Sequence, residues 1–231
     1  RPPGPDDGIR SRADHHTGIP MSTEIFPNTG LYQTGYCVIF AKNITPGELL
    51  TRVTDRTLQP TPVSREEADI ITMLDEDISE DDLPDLDTDD LQAAGLLDGD
   101  GPLLRASAYG DWSFVIESEG PYLADTEVLK AVSRDTTALS ACELESGSSW
   151  ISYAENEECL SSFDPLFPDD DHGSNPHRLE QLTGFRAALN RGRRTDAFEN
   201  ALQKIQQELR CAVPPKADED RMLAIRISGS Y

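Results

Sequence analysis

The stretch DLDTDD sets Asp85, Asp87, Asp89 and Asp90 at the alternating spacing with which calcium loops present carboxylates. Such a loop needs glycine at its sixth place for a sharp turn and a bidentate glutamate at its twelfth. Those places hold Asp90 and Leu96, so the pattern fails. A second stretch, DDDHGSNPH, gathers Asp169, Asp170, Asp171, His172 and His177, and carboxylate with imidazole suits zinc or iron. Its histidines stand five residues apart on a loop entering a helix, not on one helical face, and Asp and Ser in such loops also serve turns and caps. Neither a metal nor any other cofactor is therefore expected. Nucleophile elbows, phosphate loops and dinucleotide fingerprints do not occur. Cys37 lies in an apolar run, where burial raises a thiol's pKa and makes it a poor nucleophile. The reading leans against an enzyme and names no catalytic residue. Its alternative is an enzyme of unrecognised class with a site at residues 169–177.

Charge is the larger signal. The 231 residues carry a net charge of −23, unevenly spread: −2 over residues 1–74, −24 over 75–171 and +3 over 172–231. Residues 75–100 hold 12 acidic groups and no basic one. Such a surface repels nucleic-acid phosphates and anionic membranes and favours a cationic partner. The expected function is a non-enzymatic module that offers carboxylates to a basic protein, in the manner of immunity proteins, antitoxins or nucleic-acid mimics. Asp81, Asp82, Asp85, Asp87, Asp89 and Asp90 are the expected partner-binding residues. No apolar run approaches the ~20 residues of a membrane-crossing helix, and the polar N-terminus lacks the apolar core of a signal peptide. The expected location is cytoplasmic, and the oligomeric state stays open.

The elements that must position these carboxylates read as an α+β domain: an antiparallel meander over residues 103–162 packed against helices, with a long acidic loop and a helical C-terminal segment. TGYCVIFA (34–41) is a strand buried on both faces, and the strand plus two helices occupy residues 34–74. Thr45 with Glu48, and Ser64 with Glu67, have the spacing of capping boxes. Self-repulsion, Pro84 and Gly95 argue against regular structure in the loop at 75–102, with Leu86 and Leu91 among a few apolar residues able to touch the body. Its removal over 76–99 is expected to leave the fold intact.

Trp112, Phe114 and Ile116 alternate along WSFVIES as one apolar strand face, joined to LLRASAY by a turn at Gly110-Asp111. Asp125 caps a short helix whose Val128, Leu129 and Val132 face inward. NPHRLEQLTGFRAALN reads as one helix capped by Asn175, and TDAFENALQKIQQELRC as another opened by a box of Asp196 with Glu199. RGRR between them is the one basic cluster, and RMLAIRIS is a last strand. The four cysteines have no paired spacing, and the three in apolar, strand-like runs read as free buried thiols. Residues 1–33 read as a disordered tail, in which Met21 is the natural start.

The pieces GYCVIF, TPGELLTRV, GDWSF, SYAENEE, FDPLFP and LEQLTGF, in this order, resemble a family of small acidic proteins common in streptomycetes and related actinobacteria, a domain of unknown function. The resemblance spans residues 34 to 185, and GDWSF, SYAENEE and FDPLFP are its most specific parts. It implies an actinobacterial origin and transfers no catalytic residue.

Overall fold

A computed structural model describes residues 35–54, 59–73, 85–97, 101–118, 120–189 and 193–227. The tail at 1–33 lies outside them. In chain order the elements are β1 (Gly35–Lys42), α1 (Pro46–Thr54), β2 (Thr61–Val63), α2 (Arg65–Met73), α3 (Thr88–Ala93), β3 (Leu103–Tyr109), β4 (Trp112–Ser118), α4 (Thr126–Val132), β5 (Thr137–Leu144), β6 (Ser149–Glu155), β7 (Glu158–Phe163), α5 (Arg178–Thr183), α6 (Arg186–Leu189), α7 (Ala197–Leu209), α8 (Pro215–Glu219) and β8 (Met222–Arg226).

The eight strands form one antiparallel sheet in the order β2-β8-β3-β4-β1-β5-β6-β7. The class is α+β, as the residues indicate. Within the expected meander, β1 lies between β4 and β5, so the run divides into the hairpin β3-β4 and the ribbon β5-β6-β7. The gap is filled by the chain's most apolar run, whose Cys37 to Ala41 are all fully buried. A strand apolar on both sides needs cover on both faces of its sheet. One face packs Val38, Phe40, Trp112, Phe114, Ile116 and Leu139 against α5, α6 and α7. The other packs Ile39, Ala41, Val115 and Ala138 against α1 and α4. Trp112 is 3 % exposed, and its indole N–H donates to the Leu209 carbonyl at 3.0 Å.

Local chemistry sets the ends of several elements. Ser64 and Glu67 form the expected reciprocal box, with Ser64 N–H donating to Glu67 Oε2 at 2.6 Å and Glu67 N–H to Ser64 Oγ at 3.2 Å. At Thr45 only half of the box forms, because Glu48 turns its carboxylate to Arg52 at 2.6 Å. Asp125 accepts from Glu127 N–H at 2.8 Å and caps α4. The Asn156-Glu157 turn between β6 and β7 has φ of 50° and 66°, the paired left-handed geometry of a tight hairpin. It is held by Ser133 Oγ, which accepts from Glu157 N–H at 2.9 Å.

Three expectations are corrected. The helix expected from residue 175 to 190 is two short ones, because Gly184 ends α5 in the left-handed region at φ 61°. Asp196 does not cap α7; its carboxylate accepts from Arg193 N–H at 3.1 Å and closes a 3-10 turn, Arg194–Asp196. Cys37 and Cys142 are not free thiols. They face each other across β1 and β5, with Cα atoms 4.1 Å apart, and form a disulfide. A separation of 105 residues leaves no local spacing to read, and register alone brings the pair together. Cys159 and Cys211 are free.

Candidate functional site

Over residues 85–97 the acidic segment is more ordered than its charge implies. Asp87 caps α3, its Oδ1 accepting from Asp89 N–H at 2.8 Å and Asp90 N–H at 3.4 Å. Acidic residues in a helix's first turn also meet the positive end of its dipole, which offsets part of their mutual repulsion. The decisive contribution is apolar. Leu91 and Leu96 are fully buried with Val63, Ala68, Ile71, Leu103 and Ala224 in a cluster at the β2-β8 edge of the sheet. Arg226 Nη1 fixes the far end by donating to the Leu96 carbonyl at 3.1 Å. The sequence identified Leu91 as a contact and missed α3, because that helix has six residues and one buried apolar side chain, too few to set a helical spacing.

Anchored in this way, the segment turns its carboxylates outward. Asp85, Asp87, Asp89 and Asp90 are all exposed. Among the described residues Arg221 approaches them, with Nη2 4.0 Å from Asp85 Oδ2 while it pairs with Glu67. Asp81 and Asp82 lie outside the described residues. Beneath the acidic rim, α2 covers an ion cluster that the sequence did not reveal. Asp218, fully buried, accepts from Arg105 at 2.6 Å and Arg65 at 2.9 Å. Burial pushes the Asp69 carboxyl up to about 6, against the lowering influence of the same two arginines.

The histidine–aspartate segment 169–177 sits at the opposite edge of the sheet. It lies along β7, the last strand of the sheet, and satisfies its free edge: His172 N–H donates to the Ser162 carbonyl at 2.9 Å, Ser174 N–H to that of Cys159 at 3.1 Å, and Asn175 N–H to that of Leu160 at 2.8 Å. The approach is so close that a Cβ on Gly173 would stand 1.9 Å from the Leu160 carbonyl oxygen. Asp171 accepts from Ser161 Oγ at 2.5 Å, Ser162 N–H at 2.8 Å and Gly173 N–H at 3.0 Å. His172 stacks on Trp150, with ring centroids 6.3 Å apart, and Asp169 pairs with Arg186. Among the described residues no three His, Cys, Asp or Glu side chains converge as metal ligands. The two acidic stretches that the sequence brings forward are thus separate in the fold. One is an outward-facing rim at the β2-β8 edge; the other is a brace on β7.

No helix among the described residues is long and apolar enough to cross a membrane. No curated protein and no solved structure matches the chain. The order of strand, helix and hairpin that assembles this sheet falls almost wholly within the reach of one family model, which matches residues 23–207, and the chain belongs to that family, DUF6461, a family of unknown function.

Proposed function

We propose that the protein is a non-enzymatic interaction module whose α3 rim binds a basic partner protein. The observation that carries this reading is the combination of exposed carboxylates with a buried anchor. Asp85, Asp87, Asp89 and Asp90 face solvent, while Leu91 and Leu96 hold their backbone against the sheet. A merely solubilising segment gains nothing from such anchoring. A binding surface does, because carboxylates on a fixed frame lose less freedom when a cationic surface docks. The charge of −24 over residues 75–171 adds a long-range field that draws a basic partner and turns away nucleic acids. The sequence resemblance adds an actinobacterial setting, and binding of this kind would be in the manner of immunity proteins, antitoxins or nucleic-acid mimics.

The test keeps the fold and removes the charge. Asp85, Asp87, Asp89 and Asp90 are replaced together by Asn, which caps helices as well as Asp does. Wild-type and substituted proteins are then used as bait in native cytosol, with bound proteins identified by mass spectrometry. A basic protein retained by the wild type, eluted by salt and lost with the substituted bait supports the reading. Identical retained sets overturn it.

A further inference from the structure

In a chain so acidic, one cavity has arginines on its wall. It has a volume of about 560 Å³ and lies between the strap that follows β7 and the start of the C-terminal helices. Pro165, Leu166 and Pro168 line it from the strap, and Leu189 and Ala197 supply apolar surface from α6 and α7. Arg186 and Arg194 bring the charge, opposed within the cavity by Asp169.

The two guanidinium groups differ in how far they are committed. Arg186 donates through Nη1 to Asp169 Oδ1 and through Nη2 to the Pro168 carbonyl, both at 2.6 Å, while its Nε is buried and has no hydrogen-bond partner. The ion pair with Asp169 is open to water, since the aspartate side chain is 94 % exposed. A pair of that kind contributes little and yields readily to a competing anion. Arg194 is exposed and makes no ion pair among the described residues. Its guanidinium lies over the Phe167 ring, 5.3 Å from the centroid, so the aromatic face orients the charge without neutralising it. With 43 acidic side chains against 20 basic ones, pairing every arginine would be easy, and this one is held on a ring beside a cavity instead.

We propose that this cavity binds a small organic anion, a carboxylate or phosphate carried on an apolar body. The guanidinium fork matches either group through two parallel N–H···O bonds, and the proline and leucine walls cover the apolar part. Arg194 receives the anion. Arg186 joins it by exchanging Asp169 for the ligand, so Asp169 acts as the resident competitor that keeps the empty cavity closed to weak anions. This site is independent of the acidic rim and stands or falls without it.

Benzoate, phenyl phosphate and benzyl alcohol separate the possibilities, with binding read from calorimetry and from the arginine Nε–H signals in NMR spectra of the full chain. Benzoate or phenyl phosphate should bind and shift the Arg186 and Arg194 signals, whereas uncharged benzyl alcohol should not. The stronger of the two anions identifies the group that the cavity prefers. Arg194→Gln changes an exposed side chain and should weaken binding at least tenfold. Arg210→Gln, which removes an equal charge at the end of α7, should leave it unchanged. Asp169→Asn should tighten binding several-fold, and Asp170→Asn, one residue away and outside the cavity, should not. No saturable shift with either anion, equal losses for Arg194→Gln and Arg210→Gln, or equal gains at Asp169 and Asp170, would each overturn the proposal.

Discussion

Glu117 is a carboxylate enclosed by backbone. It lies in β4 with no exposed surface, opposite Cys37 in the register, and its oxygens accept from Tyr122 N–H at 3.1 Å and Leu123 N–H at 2.7 Å. Burial raises its pKa, and the two backbone donors only partly offset that. Asp69 is raised in the same direction, from 3.8 to about 6. Through that window the folded chain holds a proton that the unfolded chain has released, so stability falls as pH rises from 3.8 to about 6. Glu117 contributes with the same sign upward from its ordinary 4.5. The melting temperature is therefore expected to be higher at pH 5 than at pH 7, and Glu117→Gln should flatten the dependence. A melting temperature that rises from pH 5 to pH 7 would contradict this. Trp112→Ala, which opens the centre of the larger core and strips a partner from Leu209, should cost about 3–5 kcal/mol in denaturant titration.

Among the elements, α3 and β1 show what could and could not be read from residues alone. The apolar run of β1, the alternation through Trp112, Phe114 and Ile116, and the Ser64–Glu67 box were legible because each is a local pattern with a local cause. The anchoring of α3 was not, since it depends on a surface assembled from Val63, Ile71, Leu103 and Ala224, far apart in the chain. Removing residues 76–99 therefore does more than shorten a loop. It takes Leu91 and Leu96 out of a closed cluster, and each such loss costs about 2–5 kcal/mol. The deleted protein should melt well below the wild type, while the fourfold Asp-to-Asn protein should melt at or above it. The disulfide makes a second demand on elements. Thiol titration of the oxidised protein in denaturant, without reductant, should find two free thiols, Cys159 and Cys211. Four would show that β1 and β5 are held by the register alone.

For the whole molecule the governing quantity is the field of a −23 chain. The Debye length falls from about 30 Å at 0.01 M salt to about 8 Å at 0.15 M, so association with a basic partner should slow steeply over that range. The fourfold Asp-to-Asn protein should bind more slowly at low salt and converge on the wild type at high salt, as stopped-flow mixing would show. Equal on-rates and equal salt slopes would mean that the rim does not guide the encounter. Charge distribution along the chain, unlike the site itself, was fully legible from the sequence. What the residues could not supply was the separation of the two acidic stretches, which follows from the strand order.

That order also bears on how the chain is made. β1 is the first strand of the described chain, yet its neighbours β4 and β5 begin at Trp112 and Thr137. At the ~5–20 residues per second of synthesis, the run CVIFA waits several seconds or more beyond the ribosome before either partner exists. A five-residue apolar strand with two open edges is the kind of segment that pairs with a neighbouring nascent chain. The sheet's centre is thus its earliest exposed part, left unpaired until β4 and β5 have been made. Yield of this protein in a cell should respond more to chaperones that shield short apolar segments during translation than to any stabilisation of the finished fold.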